Sequence, residues 1–349
     1  MVGRSMSFGI VPHFSFCSAL SQSPLGGIVP GILMSRTAED YRGPERANLV
    51  GVQTITHTRN AERGMKLGYF DFNTDYSIRP DDLARACEER GYDSLWLGEH
   101  IHIPAGRRTP YPAGGELPKQ YWHMRDPFIS LMAAAGVTQN LKLATGICLL
   151  VERDPITTAK EVATLDTLSN GRVLFGVGGG WNVEEMENHG APFQRRWKVL
   201  RERVLAMKRI WTEDEPSFEG EFVNFEPIWS YPKPIQKPHP PVIMGSVTPQ
   251  GLQRIVDYCD GWCPVDIAIQ DFSSTIGELH ARREKAGRDP HSIALSIFAW
   301  GDPDESVLSR YQALGIERVV LGAGRTNADV PEHVLPFLDR YASLIPKLA

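Results

Sequence analysis

Along most of the chain, short runs of continuously apolar residues alternate with longer stretches whose apolar positions recur every three to four residues. The first run is Leu67-Gly68-Tyr69-Phe70, inside 66–71. Next come Ser94-Leu95-Trp96-Leu97, Lys142-Leu143-Ala144-Thr145 and Val173-Leu174-Phe175-Gly176-Val177. Val242-Ile243-Met244, Gly261-Trp262-Cys263, the run 293–298 and Arg318-Val319-Val320-Leu321 follow. Each is short enough for a strand, and the unbroken apolarity predicts a parallel sheet buried on both faces. Helices are predicted at about 80–90, 125–139, 156–168, 268–286 and 331–346, with a short and a long helix within about 182–212. Two more open at Thr248-Pro249 and run past Val307, Tyr311 and Leu314. Pro80 suits a first helical turn, Asp81 and Asp82 favour the positive end of the dipole, and Gly91 stops the helix. Val162, Leu165 and Leu168 predict one buried stripe, and Val334, Leu338, Tyr341 and Ile345 another.

Eight strand–helix units predict an α/β fold, a closed (β/α)8 barrel in preference to an open sheet. The stretch 213–240 breaks the alternation with proline and a small hairpin around Gly220, an insertion between strands four and five. Residues 1–64 follow neither period. They hold six arginines, no lysine and four acidic residues, for +2, against −5 for the whole chain. They predict a disordered N-terminal extension, translated ahead of a domain that occupies 65–349.

Composition narrows the function. With 37 basic and 42 acidic residues the chain lacks the positive excess of a nucleic-acid binder. No apolar window is long enough to span a membrane. Five scattered cysteines predict buried free thiols in a cytoplasmic protein, with no disulfide framework.

In a barrel of this kind the chemistry sits where strands end. Glu99 and His100 follow the second strand, a carboxylate and an imidazole placed for general acid–base work. Neighbouring residues on a strand point to opposite faces, so one of the two is expected to be catalytic and the other structural. His100 and His102 invite a metal reading, but strand five ends in Met244-Gly245-Ser246 and offers no further ligand, so no metal is expected. The run Gly178-Gly179-Gly180-Trp181-Asn182 opens a helix after strand four, where glycines let backbone approach a flat or anionic ligand. Trp181 breaks the dinucleotide fingerprint. Gly245 and Ser246, with Val247 and Thr248, predict a phosphate site; Gly322-Ala323-Gly324-Arg325 is a second candidate. The loop 101–123, with Arg107, Arg108, Tyr111, Tyr121, Trp122 and His123, is expected to shape a substrate pocket.

These segments together carry a resemblance. Gly91-Tyr92-Asp93-Ser94-Leu95-Trp96-Leu97-Gly98-Glu99-His100 is similar to the second strand of the bacterial luciferase-like family. The segment from Thr167-Leu168-Ser169-Asn170-Gly171-Arg172 through Gly180-Trp181-Asn182 resembles its fourth strand. Lys233-Pro234-Ile235-Gln236-Lys237-Pro238 and Asp260-Gly261-Trp262 continue the match. The chain resembles most the branch that uses the deazaflavin coenzyme F420. The resemblance implies a luciferase-like barrel with the cofactor at its carboxyl face, and a homodimer. It implies a bulge in strand three, after Thr145, with a non-proline cis peptide at Gly146-Ile147 behind the ring. It implies that His100 is the acid–base residue with Glu99 its acidic neighbour, and that Gly245 and Ser246 face the phosphate. Some sugar-phosphate dehydrogenases of the family carry glutamate where this chain has Trp181, so that substrate class is not expected. Glu184 and Glu185, one turn on, are expected to face solvent. Hydride transfer between coenzyme F420 and a small organic substrate is the leading reading. The alternatives are a monooxygenase using reduced FMN and oxygen, and a barrel that binds flavin without catalysis.

Overall fold

The computed structural model describes residues 64–322 and 330–348. The predicted extension 1–64 therefore lies outside the described residues save for Gly64, as do Ala323, Gly324 and Arg325. In chain order the first elements are β1 (Lys66–Asp71), α1 (Pro80–Glu89), β2 (Ser94–Leu97), α2 (Pro127–Ala135), β3 (Lys142–Thr145), α3 (Pro155–Leu168) and β4 (Val173–Val177). After them come α4 (Val183–Asn188), α5 (Arg196–Thr212) and a hairpin of β5 (Phe218–Glu219) and β6 (Asn224–Phe225). The chain continues with β7 (Val242–Met244), α6 (Pro249–Tyr258), β8 (Gly261–Trp262), α7 (Phe272–Lys285), β9 (Ala294–Phe298), α8 (Glu305–Ala313), β10 (Arg318–Leu321), α9 (Pro331–Ala342) and α10 (Ile345–Leu348).

The eight long-range strands close into a parallel barrel, β1-β2-β3-β4-β7-β8-β9-β10, with β10 returning to β1. Even the two-residue β8 pairs on both sides, with β7 and β9. The insertion after β4 is where it was predicted. The short and the long helix predicted within 182–212 are α4 and α5, separated by a tight turn at Phe193–Arg195. Starts are set by side chains: Asp126, Asp154, Thr248, Asp271 and Asp304 each accept a backbone N–H in the first turn that follows.

Two apolar layers hold the barrel. The larger lies between strands and helices, and the smaller fills the interior with Phe70, Trp96, Ala144, Leu174, Ile243, Phe298 and Val320. Gly68 makes room for the Trp96 indole, which donates to Ser94 Oγ at 2.9 Å. The predicted stripe on α3 is partly wrong. Val162 and Leu165 are buried, but Leu168 is 63% exposed at the last turn, and Ala159, Ala163 and Asp166 complete the buried face. Steps of three along the sequence advance about 300° and drift off a 3.6-residue face. Val334, Leu338 and Tyr341 are fully buried on α9 as their spacing predicts. Cys87, Cys148, Cys259 and Cys263 are buried free thiols.

Candidate active site at the carboxyl end of the barrel

Strand β3 stops at Thr145, and the peptide Gly146-Ile147 is cis. Pairing resumes at Cys148, which donates to Gly176 O at 2.8 Å and accepts from Gly178 N at 3.0 Å. The resulting bulge pushes Ile147 against β4 so closely that a Cβ on Gly178 would stand 1.8 Å from Ile147 Cδ1. Gly180 has φ +63°, the left-handed region that favours glycine, and starts the turn into α4.

Above the bulge lies a cavity of about 650 Å3. Phe70, Ile147, Phe298 and Cys263 give it apolar walls, Glu99, His100, Tyr121 and Trp181 one rim, and Ser246, Val247, Thr248 and Trp197 another. Gly146, Gly178, Gly179, Gly180 and Gly245 line it as well. Two predicted site residues stand behind the lining. The Thr145 hydroxyl donates to Gly176 O at 2.7 Å, and Asn182 is buried with neither end of its amide hydrogen-bonded.

Glu99 and His100 divide the work as their opposite orientations require. Glu99 accepts from Leu149 N and from Arg153 Nε, both at 2.6 Å, and ties the end of β2 to the segment beyond the bulge. Arg153 is also paired with Asp126 and Glu161. His100 turns the other way. Its Nδ1 lies 2.7 Å from Glu185 Oε2, with both side chains buried. Among the described residues Nε2 has no hydrogen-bonding partner, while the ring packs against Tyr121 at 5.3 Å and Trp181 at 5.7 Å between centroids. Tyr111 closes the group, 3.2 Å from the Tyr121 hydroxyl.

The expectation that Glu184 and Glu185 face solvent is corrected here: the short α4 turns both inward. Glu184 accepts from the Thr109 hydroxyl at 2.7 Å and from Arg108 N at 3.1 Å, fastening the loop 101–123. The Thr109 hydroxyl bond, followed by backbone donors, lowers the Glu184 carboxyl to about 2. Arg107 lies over the Trp181 ring, 5.7 Å from its centroid.

Glu152 is a further acidic group that the sequence did not mark. It is buried at the end of the turn Leu150–Glu152, beside the Glu185 carboxyl. Burial first, then the charges of Glu185 and Glu99, push its carboxyl up to about 9 from an ordinary 4.5. The folded protein thus holds a proton that the unfolded chain gives up. The stability this contributes is complete below about pH 4.5 and is lost as pH rises towards 9. Glu152→Gln removes the dependence. Relative to wild type, the variant is expected to gain about 3 °C or more in melting temperature between pH 5 and pH 8.5, read by calorimetry. An equal offset at both pH values would contradict the assignment.

The family follows from the sequence comparison. A luciferase-like monooxygenase profile matches residues 73–336, and the chain belongs to that family. An uncharacterized protein of Mycobacterium tuberculosis is 41% identical over 273 residues, covering 76% of this chain and 94% of its own. Two solved structures share the fold. The monooxygenase RslO1 from Streptomyces bottropensis aligns with a TM-score of 0.65 at 21% identity, over 82% of this chain and 100% of that one. An F420-dependent secondary alcohol dehydrogenase, solved with an F420–acetone adduct, aligns with a TM-score of 0.63 at 19% identity, over 82% and 99%. Members of the family are oxidoreductases and monooxygenases, and both F420-dependent and FMN-dependent enzymes stand among the neighbours of this chain. Among the described residues no helix is long and apolar enough to cross a membrane.

Proposed function

We propose that this protein, through a domain occupying 65–349, transfers hydride between a deazaflavin of the coenzyme F420 type and a small organic substrate. The observation that carries the reading is the buried His100–Glu185 pair at the rim of an apolar cavity of ring size. The residues present fit such a group. Phe70, Ile147 and Phe298 offer flat apolar contact, and the bulge at Gly146-Ile147 lies where the resemblance implies the back of the ring. Gly178, Gly179 and Gly180 bring backbone to the edge, with Thr145, Trp181 and Asn182 supporting it. Gly245, Ser246 and Thr248 provide backbone and hydroxyls for a phosphoryl group. When bound, the deazaflavin supplies a ring carbon that gives or takes hydride.

The chain's own residues supply position and the proton. With Nδ1 held by Glu185, the His100 ring is fixed in orientation, and Nε2 takes or returns the proton on the substrate oxygen. The negative charge of Glu185 offsets the positive charge that the ring acquires. Tyr111, Tyr121 and Trp181 keep water from the imidazole, so this electrostatic help acts at low local dielectric. Glu99, engaged by Leu149 and Arg153, holds the scaffold.

Absorbance and fluorescence titration of the purified protein with coenzyme F420 and with FMN tests the reading. Saturable F420 binding with little or no FMN binding is the expected result. Tight FMN binding with no F420 binding would replace it with an oxygen-using monooxygenase, and binding of neither would remove the cavity as a ring site.

A further inference from the structure

Two cations near the cavity mouth take no part in the site described above. Arg196 begins α5, and Arg254 lies on α6. Both guanidinium groups rest on the Trp197 ring, Arg254 at 4.5 Å and Arg196 at 5.3 Å from its centroid. Trp197 in turn lines the cavity, with its far edge so near Gly179 that a Cβ there would stand 2.9 Å away.

Several other partly buried arginines of this protein reach carboxylates or carbonyls with at least part of the guanidinium group. Arg153 has Glu99, Arg318 has Asp93, and Arg203 has the carbonyls of Leu150 and Arg153. Among the described residues Arg196 donates to the Phe193 carbonyl at 3.0 Å and meets no other acceptor, its Nε being buried without one. Among the described residues no carboxylate lies within ion-pair distance of Arg196 or Arg254. Burial first, then the like charge of Arg254, holds Arg196 below the usual arginine range. Two cations kept together with an unfilled buried donor cost free energy, and an anion between them returns it.

Position says which anion. Ser246 and Thr248 stand at the start of α6 and line the cavity. Arg254 is six residues past Thr248, which places it about 9 Å further along the helix axis at 1.5 Å per residue. That separation along the helix leaves room for a second anionic group beyond one held at the Ser246–Thr248 turn.

We propose that Arg196 and Arg254, with Trp197 between them, form a second anionic subsite beyond the Ser246–Thr248 turn, taking carboxylates on a cofactor tail that continues past its first phosphoryl group. The inference rests on the reading of the cavity as a deazaflavin site and makes that reading more specific. FMN ends at its phosphate and leaves the two arginines unused. A deazaflavin whose side chain runs through a phosphodiester into an acidic peptide reaches them, and planar guanidinium groups match carboxylates two bonds at a time.

Calorimetric titration of the full chain with three probes tests this: the deazaflavin riboside, its 5′-monophosphate and the complete cofactor with its acidic tail. Replacing both arginines (R196Q with R254Q) is expected to weaken the complete cofactor by about 10-fold or more and to flatten its salt dependence. Affinities for the riboside and the monophosphate stay near wild type, which also reports that the variant is folded. Arg254→Lys recovers part of the loss. An equal loss for the monophosphate overturns the proposal by placing the arginines on the first phosphoryl group. No loss for any probe overturns it by sending the tail elsewhere. If wild type binds none of the three, the ring reading fails and this one with it, whereas riboside binding with indifferent arginines sinks the subsite alone.

Discussion

His100→Ala is expected to lose about 10²- to 10⁴-fold in kcat on any substrate the wild-type protein turns over, while still taking up its cofactor. The geometry makes the loss large. Among the residues lining the cavity, His100 is the imidazole, and its Nδ1 is already committed to a fully buried carboxylate. Removing it takes the imidazole partner from Glu185 as well as deleting the proton carrier. Glu185→Gln keeps the shape and drops the charge, so its kcat is expected to fall between wild type and His100→Ala. Steady-state kinetics with cofactor at saturation reads both. A His100→Ala protein with kcat within a few-fold of wild type would remove the imidazole from the mechanism.

Arg153→Ala is expected to cost about 3–5 kcal/mol of folding stability, because it strands Glu99 in the interior without its cation. The Glu99 side chain is 1% exposed, so water cannot replace the lost partner. Arg153 also joins Asp126 and Glu161 and lies 4.8 Å over the Phe128 ring, so one substitution loosens β2, α2, α3 and the bulge together. The drop in melting temperature is on the order of 10 °C, measurable by differential scanning calorimetry. The exposed pair Arg195–Glu221 provides the contrast: Arg195→Ala is expected to leave the melting temperature nearly unchanged. Similar losses at the two positions would show that Arg153 is not structural in this way.

Much of the architecture was written in local patterns. Every barrel strand is an apolar run, and even Gly261-Trp262 stays in the sheet because both neighbours pair with it. His100 was legible too, because a titratable residue directly after a strand is conspicuous once a barrel is inferred. Its partner was not. Glu185 is 85 residues away, and on a single helical turn its sequence neighbourhood does not distinguish an inward carboxylate from a solvated one. Glu152 and Trp197 escaped for the same reason, since Glu152 meets Glu185 and Trp197 meets the cavity only through packing between segments distant in the chain. Thr145 and Asn182 sit in the right segments but stand outside the cavity lining, the Thr145 hydroxyl being spent on Gly176 O and Asn182 being buried. Being near the ring in sequence does not fix which way a residue points.

Two adjacent carboxylates on α4 pull in different directions. Glu184 grips the loop through Thr109 and Arg108, and Glu185 grips the imidazole. The loop 101–123 and the imidazole therefore hang on the same six residues, so a substitution that displaces α4 would shift both contacts at once.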